Sequence, residues 1–282
     1  MVLIHPFTMS VVPLSKPISG ALAASDTSIA RTLAKGLVVL EAFGAGGSAL
    51  GNAEIAVRTG LPRPTVARLT RTLAELGYLA YEPRGAKYRL WGGVLKLAYP
   101  LLAEMGLRQI ARPTMQDFAD SVRGTVSLGI RYGQDMIYVE TARSTENLHH
   151  TPDIGSSIPL PRSAMGRALW SLLDDKSAFA LRRQFEREAP DLWARFGAAV
   201  EQARRDCAER GFCVSRGDWV AQIHAAAVPL FVDPTTGFAF AINCGLPAYR
   251  LRPEQLEEEI GPRLVALAAN VRMLVERRRS SG

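Results

Sequence analysis

The chain has 282 residues, 48% of them hydrophobic and 22% charged, which is enough apolar mass for about two domains with cores of their own. That balance excludes a wholly disordered chain, and the formal net charge of +7 favours an anionic partner, nucleic acid among them. The three cysteines, Cys207, Cys213 and Cys244, form no CxxC pair and no even set, which argues against a zinc cage and a disulfide framework and fits a reducing, cytoplasmic setting.

No apolar run reaches the length of a membrane span. "ALAAS" at 21–25 is similar to a small-residue cleavage site, but the stretch before it lacks a basic start, and Pro13, Lys16 and Pro17 interrupt its apolar run. Residues 1–25 therefore read as a disordered or loosely docked tail, with Met9 as an alternative start. A first helix is expected over 28–43, where Ile29, Leu33, Leu37, Leu40 and Phe43 recur at helical steps. The glycine-rich 44–51 breaks it, and Asn52 is the expected N-cap of a short helix that Gly60 stops.

The stretch "GLPRPTVARLTRTLAELGYL" (60–79) follows as a third helix. Val66, Leu69, Leu73 and Leu76 form its buried stripe, and Pro64 suits the first helical position, where its missing N–H is no loss. "YLAYE" and "KYRLW" read as two short strands joined at "PRGA". Three helices and a basic-tipped hairpin, in that order, outline a winged helix-turn-helix. Between Pro62 and Thr72 the third helix carries Arg63, Arg68 and Arg71 and no acid; its acids begin at Glu75. Such a helix lies in the major groove of double-stranded DNA, where arginine reads guanine edges and hydroxyls hold phosphates. The expected contacts are Arg63, Thr65, Arg68, Arg71 and Thr72 on the helix, with Arg84 and Lys87 on the wing.

"GVLKLAYPLLAEM" (93–105) is a linker helix whose apolar positions Leu95, Leu97, Ala98, Leu101, Leu102 and Met105 need a partner surface. Two-half-site operators favour a dimer seam here over packing on the same domain, with Pro100 kinking or interrupting the helix. Beyond it come an amphipathic helix "QIARPTMQDFADSV" and a strand "TVSLGIR", half-buried by its alternation at Val126, Leu128 and Ile130. A second strand "DMIYVETA" follows, then helices over 164–173, 176–187 and 198–210, the last closed by Gly211. "FCVSR", "HAAAVPLFV" and "GFAFAINCG" are further strands, and Pro253 opens a long final helix. One antiparallel sheet flanked by helices makes an α+β domain. The expected division is a tail at 1–25, a winged helix-turn-helix at 26–91, a linker helix at 92–106 and an α+β domain at 107–282.

"AEIAVRTGLPRPTVARLTRTLAELGYL", the "YRL" leaving the wing, "IPLPRSAMGRALW" and "RGFCVSRGDW" together resemble the IclR-type transcriptional regulators over roughly 28–275. The resemblance implies a winged helix-turn-helix, a linker helix and a C-terminal effector domain similar to a GAF domain. It also implies a homodimer or dimer of dimers binding operator DNA and a small organic acid, with no membrane. The family often has a hydroxyl where Pro64 stands and histidine or tyrosine where Ala67 stands, which changes phosphate contact and base preference. Carried over position by position, its effector pocket falls on Asn147, His150, Ala164, Met165, Ser215, Ala225, Ile242 and Cys244. Ala225 and Ile242 are apolar where relatives with small-acid effectors carry polar residues, which points to an aromatic or longer aliphatic acid. His149, His150, Arg162 and His224 stand near these positions as possible partners of a carboxylate.

The alternative to a ligand-responsive regulator is a metabolite-binding protein or enzyme built on the α+β domain, its helix-turn-helix serving assembly only. Against that reading, Cys244 has no activating base at a recognised spacing, and Asp135, Glu140, Asp153 and Asp218 show no paired arrangement. His149 and His150, adjacent in a loop, read as a polar rim rather than a metal site, and "RRR" at 277–279 as a solvated helix end. No catalytic residue, cofactor or metal is expected.

Overall fold

The computed structural model describes residues 30–44, 49–145 and 153–280. The expected tail, Ser28, Ile29 and the loop positions Asn147, His149 and His150 lie outside these residues. The chain divides into two compact units between Gln109 and Ile110.

In the N-terminal unit, α1 (Arg31–Glu41), α2 (Asn52–Thr59) and α3 (Arg63–Glu75) pack around Val39, Phe43, Leu50, Ile55, Leu61, Val66, Leu69 and Leu79. A three-stranded antiparallel sheet closes this core, in the order β1 (Leu50–Gly51), β3 (Lys87–Leu90), β2 (Leu79–Glu82). On α1 the buried face is Ala34, Val38 and Val39, while Leu33 and Leu37 are exposed, so the inward stripe lies beside the expected one. The helix is apolar on both sides, and periodicity alone cannot say which side meets the core. Gly51, not Asn52, is the N-cap of α2, and its N–H donates to the carboxylate of Glu54 at 2.8 Å. Asn52 instead accepts a hydrogen bond from the buried Thr70 hydroxyl at 3.0 Å, a polar clamp between α2 and α3.

Gly60 adopts a left-handed φ of 68°, which reverses the chain between α2 and α3. Helix α3 starts at Arg63, so Pro64 is its second residue. Leu76 lies past its end and is exposed; Thr70 takes a place in the buried face. Helix α4 (Gly92–Glu104) runs through Pro100 without a break.

The C-terminal unit is an α+β domain whose six strands are all antiparallel: β4 (Thr125–Tyr132), β5 (Asp135–Arg143), β6 (Ser157–Pro159), β7 (Cys213–Arg216), β8 (Ile223–Val232) and β9 (Ala239–Pro247). Their order is β6-β5-β4-β9-β8-β7. Strand β4 is buried on both faces along most of its length, unlike the half-buried strand its alternation predicts, because helices cover both sides of the sheet. On one side, α5 (Gly106–Val122) joins β5 through an Arg112–Glu140 ion pair of 2.6 Å. There α9 (Gly261–Ser280) packs along β8, Arg272 donating to the carbonyls of Pro229 and Leu230. On the other side lie α6 (Ala164–Trp170), α7 (Asp175–Glu188) and α8 (Pro190–Arg210). Their core gathers Met136, Ile158, Met165, Trp170, Phe185 and Ala241, with Trp193 packed against it.

Helix α8 starts eight residues before the expected 198, because Pro190 and Asp191 open it and Trp193 and Phe196 supply the apolar contacts. The final helix starts later than Pro253, behind a wide turn at Leu256–Ile260.

Candidate nucleic-acid interface and ligand-facing sheet

The exposed side of α3 presents Arg63, Pro64, Ala67, Arg68, Arg71 and Thr72, with Thr65 half-buried beside them. Pro62 provides no side-chain cap, so the first-turn N–H groups of Arg63 and Thr65 are left for an acceptor such as a phosphate. Arg71 pairs with Glu75 at 3.2 Å, both side chains being well exposed. An exposed pair of that kind is worth roughly 0–1 kcal/mol and yields readily to a phosphate. The Thr72 hydroxyl donates to the Arg68 carbonyl one turn back, at 3.0 Å.

On the wing, Arg84 is exposed in the turn Pro83–Gly85, and Ala86 holds a left-handed φ of 48°. Lys87 is half-buried and lies 3.7 Å from Glu54, whose carboxyl is held below its usual range first by the Gly51 N–H and then by Lys87. Lys87 therefore ties the wing to the start of α2 as well as adding charge. Arg89, which the sequence reading did not single out, pairs with Glu82 at 2.7 Å on the same hairpin.

Among the described residues, the positions expected for an effector divide between the two faces of the sheet, with Ala164, Ser215 and Ala225 on one side and Ile242 and Cys244 on the other. Cross-strand partners in an antiparallel sheet share a face, as do residues two apart along a strand. Ala225 pairs with Gly245 and with Ser215, so these three share a face. Ile242 and Cys244 have the opposite parity, pairing with Val228 and Ala226, and face the α5 and α9 side. Burial there pushes the Cys244 thiol up to about 12, so it stays protonated at neutral pH. His224 also lies on that side. It pairs with Leu246 and Arg216 and lines a cleft of about 260 Å³ with Arg252 and Glu257. Burial, and then Arg216, hold its imidazole below the usual range.

On the α6 side, Ala164 and Met165 are buried in the helix packing. Met165 is fully enclosed in the aromatic core, its sulfur where a Cβ on Gly129 would stand, so it is a core residue rather than an adaptable pocket wall. Arg162 is spent on the backbone, donating to the carbonyls of Asp218 and Trp219 at 2.8 Å each.

Two cross-strand rows on this side carry polar groups. One runs Thr141, Ser127, Asn243, Ala227, Cys213; the next runs Arg143, Thr125, Gly245, Ala225, Ser215. Ser127 and Thr141 share a hydrogen bond of 3.2 Å, whereas Oδ1 of Asn243 is buried without a partner. Beside Ser215, Asp218 accepts from its hydroxyl at 3.0 Å and pairs with Arg167 at 2.8 Å. Arg167 is 2% exposed, its Nε donating to the Pro161 carbonyl and its Nη2 lacking a partner.

The sequence reading missed Asn243, Ser127, Thr141 and Arg167. The signal was present in "AINCG" and "AMGRALW", where one polar residue interrupts an apolar run; fixing the strand's parity, from its pairing, would have turned Asn243 toward α6. Among the described residues no three His, Cys, Asp or Glu side chains gather as a metal site, and no helix is long and apolar enough to cross a membrane.

The chain matches two family models: the IclR helix-turn-helix domain over residues 32–83 and the bacterial transcriptional regulator IclR C-terminal domain over residues 100–273. It is 28% identical over 249 residues to the HTH-type transcriptional regulator TsaQ1/TsaQ2 of Comamonas testosteroni, covering 88% of this chain and 89% of that one. An IclR family transcriptional regulator from Brucella abortus superposes with a TM-score of 0.77 at 35% identity, covering 88% of this chain and 93% of that one. An IclR homolog complexed with 4-hydroxybenzoate, from Microbacterium hydrocarbonoxydans, shares the fold with a TM-score of 0.67 at 19% identity, over 87% and 99% of the two chains.

Proposed function

The chain belongs to the IclR family of bacterial transcriptional regulators, which are DNA-binding proteins and not enzymes, and from that premise we propose that it reads a double-stranded operator with α3 and answers to a small organic acid held on the α6 side of its sheet. The observation that carries the DNA reading is the exposed face of α3, free of acids from Arg63 to Thr72, where Arg68 stands at the centre between Arg63 and Arg71. Arg68 reads a base edge; Arg63, Thr65, Arg71 and Thr72 hold phosphates, with Arg84 and Lys87 on the wing.

Arg68→Ala is expected to cost about 1–3 kcal/mol of operator binding and to relax base preference at one position. Arg63→Ala and Arg71→Ala weaken all sequences alike and flatten the salt dependence. Mobility shifts at several salt concentrations separate the two; unchanged affinity and specificity in Arg68→Ala would assign the face wrongly.

For the effector we propose a monocarboxylate with a flat aromatic body. Ala225 and Gly245, half-buried and paired across strands, offer a small-residue floor for a ring, near the Ser127 and Thr141 hydroxyls and the unpartnered Asn243 oxygen. Arg143, half-exposed on the same row as Gly245, supplies positive charge; its pairing with Asp153 at 3.4 Å is an exposed one. The relative complexed with 4-hydroxybenzoate supports an acid of this class. Asn243→Leu should weaken 4-hydroxybenzoate about tenfold in calorimetry, the cost of one unmade hydrogen bond, and leave operator affinity in the absence of ligand intact. Tight binding of glyoxylate with no response to aromatic acids would sink this assignment.

We further propose that α4 forms a seam between copies of the chain, as a homodimer or a dimer of dimers. Leu95, Leu97, Tyr99 and Leu101 are all exposed in the single chain, and no residue of α4 is buried. Met105, expected in that seam, is buried within the chain and leaves it. Leu95→Glu combined with Leu101→Glu should shift sedimentation toward the monomer while the circular dichroism stays native; a fully dimeric double variant would refute the seam.

A further inference from the structure

Two of the cysteines, Cys207 and Cys213, have no part in the DNA-binding face or in the effector contacts proposed above. Cys207 sits in the last turn of α8, and its carbonyl accepts the N–H of Gly211, whose left-handed φ of 83° turns the chain straight back. That reversal brings β7 alongside the helix it has just left, so Cys213 enters the small-residue cluster of Ala164, Ala168, Ala203 and Ala227, with Cys207 packed against it. Cys213 is fully buried and donates its S–H to the Ala164 carbonyl at 3.4 Å, whereas Cys207 is only partly buried. The small residues around the pair leave the two sulfurs as each other's reactive neighbours.

We propose that Cys207 and Cys213 are an oxidation site at which a hydroperoxide drives formation of a reversible disulfide, Cys207 reacting first and Cys213 resolving. Cys207 attacks one peroxide oxygen, so that an S–O bond forms and the O–O bond breaks. With hydrogen peroxide, Cys207 becomes a sulfenic acid and the other oxygen leaves as water, carrying the thiol proton. The Cys213 sulfur then attacks the Cys207 sulfur, an S–S bond replaces the S–O bond, and the departing hydroxide takes the Cys213 proton as a second water. The order follows from access: Cys207 is only partly buried and open to the peroxide, whereas Cys213 is fully buried. Oxidation removes the donor that Cys213 gives to the first residue of α6, on the sheet row that also carries Asn243.

The test is hydrogen peroxide titration of the full native chain, followed by alkylation of free thiols and tryptic mapping. Cleavage after Arg205, Arg210 and Arg216 places the two cysteines on separate peptides, 206–210 and 211–216. The expected result is loss of two of the three alkylatable thiols and appearance of those peptides as one disulfide-linked species, restored by dithiothreitol, with Cys244 still free. In Cys213→Ser, Cys207 should accumulate as a sulfenic acid trapped by dimedone. The exposed Met273 serves as an internal dosimeter. If both thiols remain alkylatable after Met273 has become the sulfoxide, or if Cys207 passes to sulfinic acid with no linked peptide, the proposal is overturned. The wild-type map decides by itself should the serine variant fail to fold.

Discussion

Gly166→Ala lowers the thermal midpoint of the C-terminal unit by roughly 4–8 °C, although alanine is the better helix former by about 1 kcal/mol. The sign is set by space. A Cβ at Gly166 would stand 2.2 Å from the Leu160 carbonyl oxygen and 2.7 Å from its Cα, both of them backbone atoms that cannot swing aside as a side chain can. The three-residue turn Leu160–Arg162 is held against α6 from several directions. Ser163 caps the helix by accepting the Gly166 N–H at 2.9 Å, and Arg167 donates to the Pro161 carbonyl at 2.8 Å. Relief of the clash therefore means lifting α6 off Leu160, which is fully buried, and opening the core that Met165, Leu169 and Trp170 fill. Overpacking of this kind costs about 1–3 kcal/mol, and here it adds to a disturbed cap.

Gly36 in α1 supplies the control. Nothing lies within 4 Å of a Cβ there, so Gly36→Ala should stabilise the N-terminal unit by about 0.5–1 kcal/mol. Differential scanning calorimetry reads both units. A rise in the midpoint for Gly166→Ala would show that the turn can move and that the close approach is not fixed.

The contrast between these two glycines shows where the sequence is legible. Both sit inside helical patterns, and nothing in the letters separates one in open space from one against a carbonyl. Local signals placed the helices and strands of the N-terminal unit well, because caps, glycine turns and apolar period act within a few residues of one another. Which side of an element faces inward was harder to read. On α1 both sides are apolar, and only packing against α3 selects Ala34 and Val38 over Leu33 and Leu37. The same limit governs the sheet of the C-terminal unit. Strand β9 reads Ala-Ile-Asn-Cys-Gly, and a shift of one residue exchanges the whole set between faces. Register with β4 and β8 turns Asn243 toward α6 and sends Ile242 and Cys244 to the other side. A pocket carried over position by position is sensitive to that single step, whereas the exposed side of α3 proposed to meet DNA is fixed by a helical period that tolerates it.

Asp218→Ala should destabilise the C-terminal unit by about 3 kcal/mol, because it strands a buried cation. The Arg167 guanidinium is in the middle of a helix whose seven residues are all buried, and its side chain is 3% exposed. Asp218 is its carboxylate partner at 2.8 Å; the Pro161 carbonyl accepts from its Nε, and the Phe196 ring lies 5.7 Å away. Breaking a buried pair by removing one member costs about 3–5 kcal/mol, and the 31% exposure of Asp218 lets water into the vacated place, which sets the loss at the lower end. Asp218→Asn keeps an oxygen facing both Arg167 and the Ser215 hydroxyl and should lose roughly half as much, since only the charge is gone. Arg167→Met removes the charge that needs a partner and fills the same apolar space, so the double variant Arg167→Met with Asp218→Ala should be more stable than Asp218→Ala alone. That recovery is the coupling term of a double-mutant cycle, read from urea unfolding of the four proteins. Simple additivity of the two single changes would mean that the pair contributes nothing jointly, and that Arg162, through its bonds to the Asp218 and Trp219 carbonyls, holds this loop to the sheet without help from the ion pair.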